Sequence, residues 1–292
     1  MTAKHPRIQV IVPVYEQTHL LAQCLKALGR QTLPRTQFDV TVVDNGSTTP
    51  PTALCRRHGT QLFHQPVPGS YAARNLGARQ GRAGLLAFTD ADCLPRPDWL
   101  AQALAAAKAQ PGVSAWGGRI DMPLGLNPTA VERLDALWGR PQQHFVEQGG
   151  WADTANFFIR RGAFDQAQGF PEVFSGGDHL LGPRLSRLGL VLAYAGDSVV
   201  THPPLKDWSR FARRQRRLAG GMAGMPSGRD QLRREVLFLA SGPLHPAWEY
   251  FRSRHRTRHG HPLEFIALRM GARAVLLGEW LRLKLGGRAV RA

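Results

Sequence analysis

Apolar runs of strand length alternate with segments of helical periodicity through the first half of the chain, and this alternation restricts the fold more than any other feature. Apolar, β-branched runs predict strands at residues 7–14, 40–43, 61–64 and 84–89, with further short strands at 113–121, 153–160, 191–194 and 198–200. Apolar spacing predicts helices at 18–28, 51–58, 70–80, 97–109, 162–168 and 175–188. This order is typical of an α/β fold, in which a mostly parallel sheet is covered by helices on both faces.

Charge is distributed unevenly along the 292 residues. The chain has 38 Lys and Arg against 21 Asp and Glu, a net charge of +17. Residues 206–292 hold 19 of these basic residues and only 6 acidic ones, so most of the positive charge lies there. We therefore predict two domains, an α/β domain at 1–205 and a basic helical extension at 206–292. A basic segment attracts polyanions such as anionic lipid surfaces, nucleic acid or charged glycans.

Cysteine content and hydropathy predict a cytoplasmic protein. The three cysteines, Cys24, Cys55 and Cys93, have no metal-ligand spacing and form no even set for disulfides. They fit a reducing compartment. The N-terminus is polar and leads directly into a strand, so we expect no signal peptide. There is no run of 18 or more apolar residues, and we expect no spanning helix.

Polar loops follow three of the predicted strands: Tyr15-Glu16, Asp44-Asn45-Gly46-Ser47 and Asp90-Ala91-Asp92. Ligands of parallel sheets collect at the carboxyl ends of the strands, so these loops predict one site. Asp90 and Asp92 would repel each other unless a cation lay between them. Hard oxygen ligands suit Mg²⁺ or Mn²⁺, which often carry substrate phosphates. The stretch predicts a metal–diphosphate site, with a solvated turn as the alternative.

Five motifs then follow one another in a fixed order. They are Val12-Pro13-Val14-Tyr15-Glu16, Val43-Asp44-Asn45-Gly46-Ser47, Ala73-Arg74-Asn75-Leu76-Gly77, Phe88-Thr89-Asp90-Ala91-Asp92 and Gly176-Gly177-Asp178-His179. Together they resemble the family 2 glycosyltransferases over roughly residues 7–205. The resemblance implies a GT-A fold, a Rossmann-like sheet that binds a nucleotide sugar. It also implies an inverting transfer that depends on a divalent metal.

The resemblance implies that the first two loops hold the nucleotide base. Pro13, Tyr15 and Glu16 would pack against the base, with Pro13 stiffening the loop and Tyr15 offering a ring for stacking. Asp44, in the turn that contains Gly46, would accept a hydrogen bond from the uracil ring N–H, because a carboxylate is acceptor-only. The alternatives are a strand-ending turn for the first loop and an Asx turn for the second.

It also implies residues for the diphosphate, the sugar and the metal. Arg74 would contact phosphate or base, with an exposed helix arginine as the alternative, and Asn75 would brace the metal-bearing loop. Asp92 would be the firmer metal ligand, and Asp90 would mainly contact ribose. We expect His202 to be a further metal ligand, or else a structural histidine. We expect Asn156 to bind sugar hydroxyls and Trp151 to form an acceptor-side wall, or else to pack in the core.

Asp178 matches the catalytic base of the family. A carboxylate there would take the proton of the acceptor hydroxyl as this attacks the anomeric carbon. The family often has Glu before the Asp and another Glu two residues after it, where this chain has Gly177 and Leu180. These departures leave acceptor recognition open, and a helix N-cap is the alternative role for Asp178. The processive signature Gln-x-x-Arg-Trp is not met around Gln215, so we expect no processive synthase.

The basic C-terminal segment, residues 245–292, interleaves arginines with leucines and aromatic residues. That mixture predicts peripheral attachment to an anionic membrane surface, on the inner face of the cytoplasmic membrane. Its charges spread around a helix at 264–284, so packing on the catalytic domain or on a second subunit, as in a homodimer, is the alternative.

We therefore predict a glycosyltransferase that moves a sugar from a nucleoside diphosphate sugar, expected to be UDP-linked, to a lipid-linked or cell-surface glycan. The cofactor would be Mn²⁺ or Mg²⁺. The alternative is a non-catalytic polyanion-binding protein. It would spread basic and aromatic residues throughout the chain, whereas residues 1–205 carry nearly balanced charge. We expect no nucleic-acid partner. A sugar-phosphate nucleotidyltransferase would need a glycine-rich basic loop after the first strand, where this chain has Pro13-Val14-Tyr15-Glu16.

Overall fold

A computed structural model of the chain describes residues 7–173, 175–223, 228–253 and 261–287. The chain divides into two compact units. The first contains the chain up to residue 121 together with 140–173 and 177–202, and the second contains 122–139, 174–176 and the chain from 203 onward. The assignment of catalysis to residues 1–205 and of an extension to 206–292 stays a prediction.

The first unit is built on a mixed eight-stranded sheet. Its strands are β1 (Ile8–Val14), β2 (Phe38–Asp44), β3 (Gln61–His64), β4 (Leu85–Phe88), β5 (Leu94–Pro95), β6 (Ala115–Asp121), β7 (Phe157–Arg160) and β8 (Leu192–Thr201). They lie in the order β3-β2-β1-β4-β7-β6-β8-β5. Strands β3, β2, β1 and β4 run parallel to one another, and β7 runs antiparallel to its neighbours β4 and β6. The carboxyl ends of β1, β2 and β4 therefore meet at one edge of the sheet.

Helices connect these strands and build the second unit. Those in the described residues are α1 (Thr18–Leu28), α2 (Thr52–Arg57), α3 (Ser70–Arg79), α4 (Trp99–Ala109), α5 (Ala130–Trp138), α6 (Gln142–Glu147), α7 (Arg161–Gln166), α8 (Gly177–Arg187), α9 (Trp208–Ala223), α10 (Gly228–Ala240), α11 (Leu244–Ser253) and α12 (Pro262–Lys284). Helix α5 and helices α9 to α12 belong to the second unit, and the others belong to the first.

Strand β1 is buried along its whole length, because helices cover both faces of the sheet. Successive side chains of a strand point to opposite faces. Val10 and Val12 accordingly pack in the cluster that contains Leu21 and Leu25 of α1, whereas Ile11 packs in the cluster that contains Tyr71 of α3. This two-sided core confirms the α/β prediction.

Two predicted strands differ in their bounds. The strand predicted at 153–160 begins only at Phe157, because residues 154–156 form a 3₁₀ turn that the Asp153 side chain caps by accepting from the Ala155 amide at 2.9 Å. The strands predicted at 191–194 and 198–200 form the single strand β8. Its pairing with β6 shifts between Gly118 and Arg119, which accommodates the extra residues of β8 as a bulge.

The second unit is helical, with a small core of its own. Val131 and Leu134 of α5, Phe211 of α9, and Phe265 and Ala272 of α12 are buried together. A buried ion pair joins Asp135 of α5 to Arg214 of α9. No helix in the described parts of the chain combines the length and the hydropathy that a membrane crossing requires.

Candidate active site

A cluster of potential metal ligands lies where the chain leaves β4 and β8. One ligand atom from each of Asp90, Asp92, Cys93 and His202 falls within 4.8 Å of all the others. His202 follows the last residue of β8, and its amide donates to the Asp121 carbonyl at 2.8 Å, which anchors it beside β6. Its Nε2 lies 3.6 Å from Asp92 Oδ2. The structure therefore brings together the three residues predicted to hold the metal.

The chemistry of this donor set fits a hard divalent ion. The two carboxylates suit Mn²⁺ or Mg²⁺, and the imidazole is an acceptable further ligand for Mn²⁺. The Cys93 thiol is fully buried, and burial, followed by the charges of Asp92 and Asp90, raises its pKa well above the ordinary value. A cysteine sulfur is also a soft ligand, which suits a hard ion poorly.

Arg74 lies beneath the cluster rather than at the surface. Its side chain is buried and forms a hydrogen-bonded ion pair with Asp90. Its guanidinium carbon is 5.3 Å from the centre of the Tyr71 ring. The exposed-arginine alternative is therefore wrong, and the hydrogen bond of Arg74 goes to the first carboxylate of the metal cluster.

A second buried ion pair, between Arg140 and Asp153, was not predicted from the sequence. Burial by itself lowers the pKa of Arg140, but Asp153 and then Asp90 outweigh burial and raise it. Burial opposes ionisation of Asp153, but Arg140, the Ala155 amide and His202 together lower its pKa. Arg140 therefore supplies positive charge beside the carboxylates. It lies in a stretch without strand or helix periodicity, so no sequence signal pointed to it.

Asp178, the predicted base, lies in the first turn of α8 and is half-buried. The Tyr71 hydroxyl donates to Asp178 Oδ1 at 2.9 Å, and the His179 amide donates to the same oxygen at 3.0 Å. Gly177 lies so close to Tyr71 that a Cβ atom at 177 would come within 2.8 Å of the ring. Burial, followed by the charge of Asp153, raises the pKa of Asp178 despite these hydrogen bonds. Asp153 thus interacts both with Asp178 and, through His202, with the metal cluster.

A stack of three rings adjoins Asp178. Trp151 stacks on Phe145 with ring centroids 4.2 Å apart, and on His179 with centroids 3.5 Å apart. Two rings this near one indole cannot share a face without overlapping, so they cover opposite faces. The faces of Trp151 are therefore occupied, and the exposed residue of the stack is His179 rather than the predicted wall residue.

The two loops predicted to bind the nucleotide base are held together by polar contacts. Asp44 is almost fully buried, and its carboxylate accepts from the amides of Gly46 at 3.3 Å and Ser47 at 3.2 Å. His64 Nδ1 lies 3.0 Å from Asp44 Oδ2. The Asx turn weighed as the alternative is thus present. A uracil N–H would compete for Asp44 Oδ2 with His64, whose side chain is 57% exposed.

The first loop has a different role for each of its predicted residues. Pro13 lies inside β1, opposite Val43 of β2 and one residue before the strand ends, and its packing against the base stays a prediction. Tyr15 is half-buried. Glu16 has a left-handed backbone, with φ of 53°, and its carboxylate accepts from the amide and the hydroxyl of Thr48, both at 2.7 Å. Glu16 therefore connects the loop after β1 to the loop after β2.

Two asparagines have partners other than those predicted. Asn75 exchanges hydrogen bonds with the backbone of Phe170, both at 2.9 Å, so it braces the segment before Asp178 rather than the metal loop. Asn156 is fully buried; it accepts from Trp99 Nε1 at 2.8 Å and donates to two backbone carbonyls, at 2.8 and 2.9 Å. The amide of Asn156 is therefore used inside the protein, and no part of it is exposed to a sugar.

Sequence comparison finds a family match and related enzymes. Residues 9–167, more than half of the chain, match the profile of glycosyl transferase family 2. Over 228 residues the chain is 32% identical to glycosyltransferase AglE of Haloferax volcanii. This alignment covers 76% of the chain and 74% of AglE. Over 272 residues it is 27% identical to the pre-mycofactocin glycosyltransferase of Mycobacterium tuberculosis. This alignment covers 85% of the chain and 55% of that protein.

Structural comparison finds the same architecture in two solved enzymes. Mannosyltransferase PcManGT from Pyrobaculum calidifontis, in complex with GDP-Man and Mn²⁺, superposes with a TM-score of 0.61 at 20% identity, over 96% of the chain and 87% of PcManGT. S. aureus TarS 1-349, in complex with UDP-GlcNAc, superposes with a TM-score of 0.54 at 15% identity, over 96% of the chain and 92% of TarS 1-349. At these identities the likeness is one of fold, and it confirms the predicted GT-A architecture.

Proposed function

Since the chain belongs to glycosyl transferase family 2, we propose that it moves a sugar from a nucleoside diphosphate sugar to a hydroxyl group of an acceptor, with inversion. The observation that carries this proposal is the convergence of Asp90, Asp92 and His202 with Asp153 and Asp178 in one unit. A protein that only binds polyanions has no need of a cluster of half-buried carboxylates beside the strand ends.

The metal of this proposal is Mn²⁺ or Mg²⁺, held by Asp92 and His202 with Asp90 beside them. Asp90 is already paired with Arg74, so we assign the ion mainly to Asp92 and His202, whose ligand atoms lie 3.6 Å apart. When bound, the ion offsets the negative charge that develops on the departing diphosphate. Arg140 lies close enough to Asp90 and Asp92 to balance the remaining carboxylate charge.

Asp178 acts as the base. The acceptor oxygen forms a bond to the anomeric carbon while the bond from that carbon to the diphosphate oxygen breaks, and the hydroxyl proton moves to Asp178. The Tyr71 hydroxyl holds one carboxylate oxygen, which leaves the other available for the proton. Because the pKa of Asp178 is raised, its carboxylate binds the proton more tightly. The carboxylate is still ionised, and able to accept a proton, at any pH above that pKa.

We infer UDP as the nucleotide from Asp44, whose carboxylate would accept the uracil N–H in competition with His64. PcManGT is a complex with GDP-Man, and TarS 1-349 is a complex with UDP-GlcNAc. Both nucleotides therefore occur on this fold, and both belong in the test.

For the acceptor we infer a lipid-linked or cell-surface glycan, reached at an anionic membrane surface on the cytoplasmic side. The support is the charge of the chain, because residues 206–292 hold 19 basic residues against 6 acidic ones.

The test is nucleoside diphosphate release from a panel of UDP- and GDP-sugars, with Mn²⁺, Mg²⁺ or EDTA, using water as acceptor where no glycan is supplied. We expect metal-dependent release by the wild type and by the matched control Asp165→Asn. This control removes an exposed carboxylate on α7. Asp178→Asn should lower release by about 100-fold or more. Full release by Asp178→Asn, or no metal-dependent release from any donor, would overturn the proposal.

A further inference from the structure

Helix α12 buries several of the residues predicted to reach a membrane, although Leu263 and Leu281 are 68% and 56% exposed. Phe265, Ala272 and Leu276 are buried in the second unit. Arg269 is buried, with its guanidinium 4.4 Å from the Trp138 ring centre, and it makes two hydrogen bonds to Glu249 at 2.6 and 2.7 Å. These apolar side chains and this arginine are therefore internal contacts of this unit.

Helix α11 instead exposes an apolar stripe. Leu244 is 77% exposed, Trp248 is 55% exposed and Phe251 is 60% exposed. Their spacing of four and then three residues places them along one face of a helix. We call these three residues the α11 stripe. Side chains this large and apolar rarely line one solvent-facing stripe unless the stripe has a partner.

Basic groups border the α11 stripe on one side. Stepped at 3.6 residues per turn, His245 and Arg252 lie next to each other, at the edge of the stripe. The Arg252 guanidinium lies 5.0 Å from the centre of the Trp248 ring. Glu249, the acidic residue of this helix, makes two hydrogen bonds to Arg269 of α12 and also lies 3.5 Å from His245 Nε2. At its edge, the stripe thus places the cationic guanidinium of Arg252 beside the apolar ring of Trp248.

We propose that the α11 stripe docks on an anionic lipid bilayer. Trp248, Phe251 and Leu244 would enter the interface between headgroups and acyl chains, and Arg252 would contact the headgroup phosphates. A membrane of negative surface potential attracts the chain, whose net charge is +17. A second copy of the chain carries the same charge and would be repelled, so the charge favours a bilayer over a homodimer. This inference deepens the membrane location of the proposed function and is independent of the transfer chemistry.

The test is flotation of the full chain with vesicles of phosphatidylcholine, with and without phosphatidylglycerol. We expect flotation with the anionic vesicles only. The stripe variant Leu244→Ala/Trp248→Ala/Phe251→Ala should partition at least about tenfold more weakly. The matched control is Leu126→Ala/Leu188→Ala/Val191→Ala, which removes three exposed apolar side chains elsewhere and should float like the wild type. Circular dichroism and thermal melting of each variant show whether it is folded.

A second readout does not depend on the triple variant. Brominated phosphatidylglycerol should quench part of the tryptophan fluorescence of the wild type, and Trp248→Phe should remove that part. The proposal is overturned if the folded stripe variant floats like the wild type, if Trp248→Phe leaves the quenching unchanged, or if sedimentation shows that the stripe variant converts a dimer into a monomer. Nucleotide-sugar turnover without vesicles tests the transfer chemistry separately.

Discussion

At the residue scale, the hydrogen bond from Tyr71 to Asp178 controls the proposed base. A hydroxyl that donates to a carboxylate stabilises the ionised form. Tyr71→Phe should therefore raise the pKa of Asp178 further, and the acid limb of the pH–rate profile should move to higher pH, since the base must be ionised to accept a proton. Turnover at neutral pH should fall by about tenfold. The profile of nucleotide release against pH checks this, with Tyr194→Phe as the control.

An unchanged acid limb in Tyr71→Phe would mean that Tyr71 only packs against Gly177. A structural role would lower the melting temperature without moving the profile, so the two readouts separate the roles.

The buried pair of Arg140 and Asp153 gives a second residue-scale prediction. Arg140→Ala leaves Asp153 without its cation, and we expect a loss of about 3 kcal/mol in unfolding free energy at neutral pH. The pKa of Asp153 is lowered from 3.8 in the folded protein, so its stabilising contribution is present above 3.8 and is lost as pH falls. The deficit of Arg140→Ala should therefore shrink on acidification, as measured by urea unfolding.

The control for that experiment is Arg210→Ala, which breaks a pair whose side chains are 58% and 48% exposed. It should cost little at any pH, because exposed pairs contribute little to stability. Equal losses for both variants would show that burial does not strengthen the Arg140 pair.

Asp90 and Asp92 were predictable because they follow a recognisable strand within one of the five ordered motifs. His202 lies outside those motifs and was predicted from its place after a strand and from the family resemblance. It could not predict Arg140 or Asp153 as a pair, because the segment around Arg140 has no periodicity and pairing depends on tertiary contact. It also missed the inward orientation of Asn156, since an amide that binds sugar and an amide that joins strands look alike in sequence.

At the scale of elements, the position of α8 depends on one glycine. A Cβ atom at Gly182 would lie 2.1 Å from the Gly150 carbonyl oxygen and 2.8 Å from Trp151. Both atoms belong to the backbone, so α8 itself would have to move. Gly182→Ala should destabilise the protein by about 1–3 kcal/mol and lower turnover, because α8 carries Asp178. Urea unfolding and nucleotide release check this prediction.

Gly162→Ala is the matched control, because it also lies in a helix, α7, and its Cβ would meet nothing within 4 Å. It should leave stability unchanged or raise it by up to about 1 kcal/mol, as expected for alanine in a helix. A neutral Gly182→Ala would contradict the close packing of α8 on residues 150–151.

Strand and helix types were predictable because their hydrophobic periods are local. The bounds of the strands were less predictable from the sequence. Residues 154–156 directly precede the apolar run of β7 and look like its beginning in sequence, but the Asp153 cap turns them into a 3₁₀ turn. The two predicted strands around residue 196 merge because the bulge against β6 absorbs the extra residues, and that depends on a partner strand distant in sequence.

At the scale of the whole molecule, the resemblance of five short motifs to family 2 glycosyltransferases is confirmed, as is the GT-A fold. Membrane attachment of residues 245–292 stays a prediction, but α12 makes contacts that composition could not predict. Arginines and leucines in sequence suggest a membrane surface, but Arg269 and Arg273 bond to Glu249 and Glu235 of neighbouring helices. Local charge does not reveal such pairing, and neither does it reveal that α5, from earlier in the chain, completes this unit.

The decisive experiment is calorimetric titration of UDP and GDP into the protein with Mn²⁺ and with EDTA, for the wild type, Asp92→Ala and the control Asp165→Asn. We predict that Mn²⁺ strengthens binding of one nucleotide by about tenfold or more in the wild type and the control. Asp92→Ala should bind that nucleotide equally weakly with and without the metal. Metal-dependent binding that survives in Asp92→Ala, or wild-type binding that is indifferent to Mn²⁺, would contradict a metal-held diphosphate at this site.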